Sequence, residues 1–281
     1  MNDIICREKY FNILDKRYTK YQKKVFLSEL AKDFENLGYK AEIVIEQLEK
    51  KKSHVLLVGD ISRAKKLISV CYDTPQYGFD WFKDEVFNFK KRKLVNSHLF
   101  AIRSIIFALT SSIIFYLGIQ YIWNDGNFNI FDFILASSII FTIILSTRIN
   151  GFTKGNNKIT NTNSIIFALS YANKYKDCAF MFTDYGYTGY EVDQKLSEAF
   201  KKVKDSKLII ILDKCNEKGN IIISCNKDNL KYVKDVNLKK IIIETDDSIV
   251  TKYPKCIGIS VELGTKNIES ELLELIKKTK V

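Results

Sequence analysis

The sequence predicts an α/β fold: an α/β/α sandwich on a mixed, mainly parallel sheet, interrupted by a two-helix transmembrane hairpin. Three observations lead there. Short β-rich runs alternate with amphipathic helical stretches on both sides of the chain's middle, which implies a sheet covered by helices. Two long apolar runs occupy the middle itself. No internal repeat and no low-complexity linker divides the rest. Residues 1–99 and 148–281 are therefore expected to form one discontinuous domain around an insertion at 100–147.

The elements follow in order. Residues 18–37 (YTKYQKKVFLSELAKDFENL) set Val25, Phe26, Leu30 and Phe34 on one helical face, and Gly38 stops the helix. Runs 41–45, 54–58 and 67–71 are short, rich in aliphatic and β-branched residues, and separated by charged turns, as strands are. Beyond the insertion, 164–175 reads as a helix, 178–183 as a strand and 192–203 as a helix. Run 208–212 (LIIIL) is a strongly apolar strand, and 221–224 is placed beside it. Strands at 241–243 and 256–261 and an amphipathic helix at 267–278 complete the chain.

The insertion is expected to cross a membrane twice. Its first run, 104–123 (SIIFALTSSIIFYLGIQYIW), carries no charge over a length that spans a bilayer core of roughly 30 Å. The second, 130–147 (IFDFILASSIIFTIILST), carries only Asp132, near its start, where a solvated anchor is the plain reading. Neither run lies at a chain end, so neither reads as a signal peptide. The link at 124–129 (NDGNFN) is short and holds Asp125 but no Lys or Arg. Lys90, Lys91, Arg92, Lys93 and Arg103 precede the runs, and Arg148, Lys154 and Lys158 follow them. By the positive-inside rule both flanking segments and both termini are cytoplasmic, which places a two-span protein in the inner or plasma membrane. Tyr121, Trp123 and Phe128 suit the far interface. The competing reading is a pair of buried core helices.

Composition narrows the partners. The net charge of +11 would admit nucleic acid, yet the basic residues are spread along the chain and concentrate only at the membrane edge, where they would meet anionic lipid. No nucleic-acid motif accompanies them, so the bilayer is the expected partner and nucleic acid is not. The six cysteines (Cys6, Cys71, Cys178, Cys215, Cys225, Cys256) form no CxxC pair and read as free, buried thiols. His54 and His98 are the only histidines, which restricts imidazole catalysis and metal ligation. Richness in Lys, Asn and Ile matches an AT-rich bacterial coding sequence.

Chemistry in such sheets gathers at the carboxyl ends of strands. Those ends here are Cys71-Tyr72-Asp73-Thr74-Pro75, Thr183-Asp184-Tyr185-Gly186-Tyr187 and Asp213-Lys214-Cys215, with the helix start Asn161-Thr162-Asn163-Ser164 beside them. Their order and content resemble the co-catalytic di-zinc aminopeptidases, the family that includes glutaminyl cyclases and the transferrin-receptor ectodomain. The resemblance runs from the helix ending in Leu37-Gly38-Tyr39, through SVCYDTP, to the C-terminal helix. It implies a zinc-peptidase-like sandwich.

Residue by residue, the resemblance also implies that the family's site has degenerated. The family's His-x-Asp-(Ser/Thr) motif falls on Cys71-Tyr72-Asp73-Thr74, so a zinc-binding His is Cys71 while Asp73 is kept. The bridging Asp falls on Asn161. The Glu-Glu pair, general base and zinc ligand, falls on Gly186-Tyr187. The Asp after the apolar strand is kept as Asp213. No histidine stands near 264–265, where the last ligand belongs. Cys71, Asp73, Asn161, Gly186, Tyr187 and Asp213 are thus expected to form a vestigial site with no catalytic residue and no cofactor. Zinc would enter only at a remodelled site holding Cys71 and Asp213, and two ligands are fewer than zinc normally takes. Each residue also has a bland reading: a buried thiol for Cys71, turn-capping aspartates for Asp73, Asp184 and Asp213. A Cys71 thiol nucleophile would need a base, and neither His54 nor His98 is placed to be one.

The functional expectation is a membrane-anchored pseudo-peptidase that binds a peptide or membrane-protein partner at the cytoplasmic face. The alternatives are a metallo-hydrolase or aminopeptidase with a remodelled metal site, and an accessory membrane protein of a peptide export, maturation or immunity system.

Overall fold

A computed structural model describes residues 3–17, 19–48, 51–73, 87, 89–123, 137, 139–140, 161–184, 208–215, 218–233, 240–243 and 255–279. The chain divides into two compact units. One comprises Met1–Pro75, Lys83–Lys93 and Thr153–Val281; the other comprises Gln76–Phe82 and Leu94–Phe152.

The first unit is organised on one sheet. Its strands are β1 (Ala41–Leu48), β2 (Lys51–Val58), β3 (Lys66–Cys71), β4 (Cys178–Thr183), β5 (Leu208–Leu212), β6 (Lys218–Cys225), β7 (Lys240–Ile243) and β8 (Cys256–Asn267). They lie in the order β1-β2-β4-β3-β5-β8-β6-β7. The central four, β4-β3-β5-β8, run parallel; β1–β2, β2–β4 and β8–β6 are antiparallel. Strands β3, β4 and β5 are buried at every position, which explains why they read as mainly apolar runs instead of alternating ones, Lys66 and Ser69 of β3 being buried polar residues. The sheet is thus mixed and mainly parallel at its centre.

The described helices with printed bounds are α1 (Asp3–Glu8, continuing as a π-helical turn Lys9–Ile13), α2 (Lys20–Asn36), α3 (Phe89–Trp123), α4 (Thr162–Lys174) and α5 (Glu269–Lys278). Helix α2 starts because Thr19 and Gln22 form a reciprocal capping box, each side chain accepting from the other's backbone N–H. It ends at Gly38, whose φ of +83° only glycine adopts at low cost, with Tyr39 N–H returning to the Phe34 carbonyl. The helix lies beside β1 and β2, Phe26, Leu27, Leu30 and Phe34 are fully buried, with Phe34 against Phe180 and Phe182 of β4, and each such side chain contributes about 1.5–3 kcal/mol. Helix α4 packs on β3 and α5. Lys66, buried on β3, donates to the last carbonyls of α5 at Ile276 and Lys277, which ties that helix to the sheet.

All eight expected strands form. One expected pairing does not: 221–224 was placed beside 208–212, but β5 lies between β3 and β8, while β6 pairs with β8 and β7. The twelve-residue β8 separates them. Apolarity announces a strand without announcing its neighbour. The expected helix at 192–203 lies outside the described residues. Helix α1 and a 3-10 turn at Lys227–Tyr232 had not been expected.

The second unit contains most of α3. The expected first span, 104–123, is helical throughout as the later part of this 35-residue helix, about 50 Å long. Of the expected second span, 130–147, Ser137, Ile139 and Ile140 are described, and they are helical. The link 124–129 and Asp132 lie outside the described residues. Among the described residues no helix is long and apolar enough to cross a membrane. The described side chains of the apolar part of α3 stop at Gln120, although the helix continues to Trp123.

Candidate functional site

The parallel register brings the predicted residues to one edge of the first unit's sheet. Cys71 pairs with Thr183, and Val70 with Leu212, so Cys71, Asp184 and Asp213 emerge from the carboxyl ends of β3, β4 and β5 side by side. Two further ladder bonds, Tyr72 N–H to Thr183 O (3.0 Å) and Asp213 N–H to Ile259 O (3.0 Å), carry the order one residue past the strands. Asn161, at the start of α4, joins them by donating from its side-chain amide to the Asp73 carbonyl oxygen. Cys71, Asp73, Asn161 and Asp213 are all buried at this edge. Gly186 and Tyr187 lie outside the described residues.

Two cations that the sequence reading missed complete the cluster. The Arg17 guanidinium is fully buried and donates from Nη2 to Asn161 Oδ1 (2.6 Å) and Thr162 Oγ1 (2.7 Å). Its Cζ lies over the Phe26 ring, 4.7 Å from the centroid, and Phe26 stacks in turn on Tyr72. Lys23 Nζ, from α2, reaches Asp184 Oδ1 at 2.5 Å. Lys23 had a legible signal: it stands three and four residues before Phe26 and Leu27, on the helix's apolar stripe, where a charge needs a partner inside. Arg17 precedes the N-cap in an irregular segment with no periodicity to read.

Asp213 is engaged by the chain itself. Its Oδ2 accepts from the backbone N–H of Phe87 at 3.1 Å. Phe87 is fully buried and holds φ at +63°, a conformation that a bulky residue rarely adopts. Nothing in the pattern FKDEVFNFKK singles Phe87 out, so sequence reasoning had no handle on it.

The thiols and the imidazole are muted. Cys71 Sγ and Thr183 Oγ1 share a hydrogen bond at 3.4 Å. Burial pushes the Cys215 thiol up to about 12; the Ser164 hydroxyl acts against that rise, and the nearby Asp213 charge adds to it. His54 lies on β2 with its imidazole pushed below the usual range, first by burial. Its backbone carbonyl accepts from Tyr72 Oη at 2.9 Å.

Among the described residues the donor set does not fit a two-zinc centre. Such a centre needs a bridging carboxylate and terminal ligands holding ions about 3.5–4 Å apart. Where the sequence resemblance would put the bridging carboxylate stands the amide of Asn161, with a guanidinium 2.6 Å away, and one cation repels another from the same spot. Asp184 is likewise taken up with an ammonium. Among the described residues no three His, Cys, Asp or Glu side chains are grouped to hold a metal ion.

No family model matches the sequence, and no curated protein matches it. Solved structures resemble it. Tannerella forsythia glutaminyl cyclase superposes with a TM-score of 0.51 at 10% sequence identity, over 99% of this chain and 94% of that one. Porphyromonas gingivalis glutaminyl cyclase gives 0.49 at 9% identity over 99% and 94%. A leucine aminopeptidase precursor from Bacteroides thetaiotaomicron gives 0.48 at 12% identity over 99% and 93%. The first of these similarities shows a shared α/β fold with glutaminyl cyclase, and at such identity it carries the fold alone.

Proposed function

We propose that this chain is a membrane-anchored protein of peptidase-like fold that binds a peptide or protein partner and does not perform two-metal hydrolysis. The observation that carries this reading is charge compensation from within. Where the resemblance puts a metal-bridging carboxylate there is an amide bonded to Arg17, and the neighbouring strand-end carboxylate of Asp184 is matched by Lys23. A cleft of this fold in which Asp184 is matched by Lys23 and the Asn161 amide is held by Arg17 retains shape for recognition without the electrophile and base that hydrolysis requires. The expected result is that detergent-purified full-length protein carries zinc far below one ion per chain and does not hydrolyse aminopeptidase substrates. Asp73→Ala and Asp213→Ala should behave the same way in both assays. Stoichiometric zinc, together with hydrolysis that either substitution abolishes, would establish the remodelled metallo-hydrolase instead.

Membrane anchoring rests on a separate observation. Along α3, Ile105, Leu109, Ile113, Phe115 and Tyr116 are exposed, Phe115 at 72% and Tyr116 at 61%. Monomers in water rarely present so continuous an apolar surface, whereas hydrocarbon accepts it on every side of a helix. The basic residues at the start of α3, ahead of its apolar part, and those after 147 then face the cytoplasm. Alkaline carbonate extraction is expected to leave the protein in the membrane pellet; release into the supernatant would make α3 a soluble helix and remove the anchor.

A further inference from the structure

At the edge of the candidate site one aromatic residue is packed onto the sheet from outside it. Phe87 belongs to no strand of the sheet, yet its ring is wholly buried above β8, where Gly258 leaves the space for it. A Cβ at Gly258 would meet Phe87 Cζ at 2.6 Å and Cε1 at 2.7 Å, so the ring sits directly on the glycine backbone. Gly258 pairs with Ile211 on β5, two residues before Asp213. The Phe87 backbone N–H goes to the Asp213 carboxylate. The pocket thus provides a glycine floor for a flat ring and, close by, a carboxylate that accepts an amide N–H. The residue filling it is held at φ +63°, a conformation that an aromatic residue of a separate, extended peptide need not adopt.

We infer that Phe87 is a self-ligand, and that the pocket over Gly258 beside Asp213 is a binding site for a peptide aromatic residue, which displaces Phe87. The inference deepens the peptide-binding reading and rests on it: it specifies the class of residue recognised, a large planar side chain whose own N–H is presented to Asp213. A peptide that makes both contacts without the positive φ replaces Phe87 contact for contact and relieves its backbone strain.

The test uses full-length protein in lipid nanodiscs and N-acetylphenylalanine N-methylamide as the probe, with the alanine analogue as the control. Phe87→Ala leaves a ring-sized vacancy and is expected to bind the phenylalanine probe about tenfold more tightly than wild type does. It should also bind that probe about tenfold more tightly than the alanine analogue. Adding Asp213→Ala is expected to weaken the probe again by about tenfold, because the N–H loses its charged acceptor. In wild type, saturating probe should accelerate hydrogen exchange at the Phe87 amide. That measurement needs no variant and stands if Phe87→Ala does not fold. Equal binding of the two probes by Phe87→Ala would overturn the assignment, as would a Phe87 amide whose exchange ignores saturating probe. Neither outcome bears on zinc content or hydrolysis, so failure here is distinguishable from failure of the pseudo-peptidase reading.

Discussion

Lys23→Ala is expected to destabilise the first unit by about 3–5 kcal/mol, read as a lowered midpoint of chemical unfolding in detergent. The magnitude follows from what stays behind. Asp184 is almost wholly inaccessible to solvent, and Lys23 Nζ stands 2.5 Å from it. Removing the ammonium leaves a carboxylate inside the protein without that counter-charge, and desolvation of the surviving ion dominates the cost. The same substitution in an Asp184→Asn background should cost only a fraction as much, because a neutral amide needs no cation. The pair is therefore expected to be strongly non-additive. Equal losses in the two backgrounds would mean that Lys23 acts through packing alone, and the claim that it balances the Asp184 charge would fail. Lys23→Arg should retain most of the stability if the guanidinium can reach the same oxygen.

The contrast between Lys23 and Phe87 indicates what could be read from the sequence. Strands β3, β4 and β5 were legible because they are buried on both faces, so KLISVC, CAFMFT and LIIIL are short, apolar and bounded by polar turns. Helix α2 was legible through its stripe and its glycine stop. Placing Cys71, Asp73 and Asp213 together needed only the rule that parallel strands deliver their carboxyl ends to one edge, and the register puts them there. Sheet order was harder: β6 and β8 meet through an antiparallel ladder that no local pattern encodes. Hardest were the groups that complete the site from a distance. Arg17 reaches Asn161 across 144 residues of sequence, and Phe87 reaches Asp213 across 126. Neither sits in a periodic element, so periodicity carries no trace of either. Lys23 lies between the extremes, since a lysine on an apolar stripe signals a buried partner without naming it.

Gly258→Ala is expected to cost about 1–3 kcal/mol where Phe87 is present and nothing, or a slight gain, where it is not. An alanine within a strand is ordinarily more favourable than a glycine, by roughly 0.5–1 kcal/mol, since glycine loses more backbone freedom on folding. Here the added methyl would lie 2.6–2.9 Å from three atoms of the Phe87 ring, inside any real carbon–carbon contact. The ring has no easy escape: it is buried, and its backbone is tied through the N–H to Asp213. Phe87→Ala alone should be the larger loss, about 3–5 kcal/mol for an emptied aromatic site. The informative quantity is the coupling. In the Phe87→Ala background the Gly258→Ala methyl points into the vacated space, so the double variant should be no less stable than Phe87→Ala by itself. A Gly258→Ala penalty that persists without the ring would locate the clash elsewhere on the β5–β8 ladder. A penalty that vanishes shows that β8 keeps a glycine at this position to admit a flat ring, the same space that an aromatic residue of a bound peptide would need.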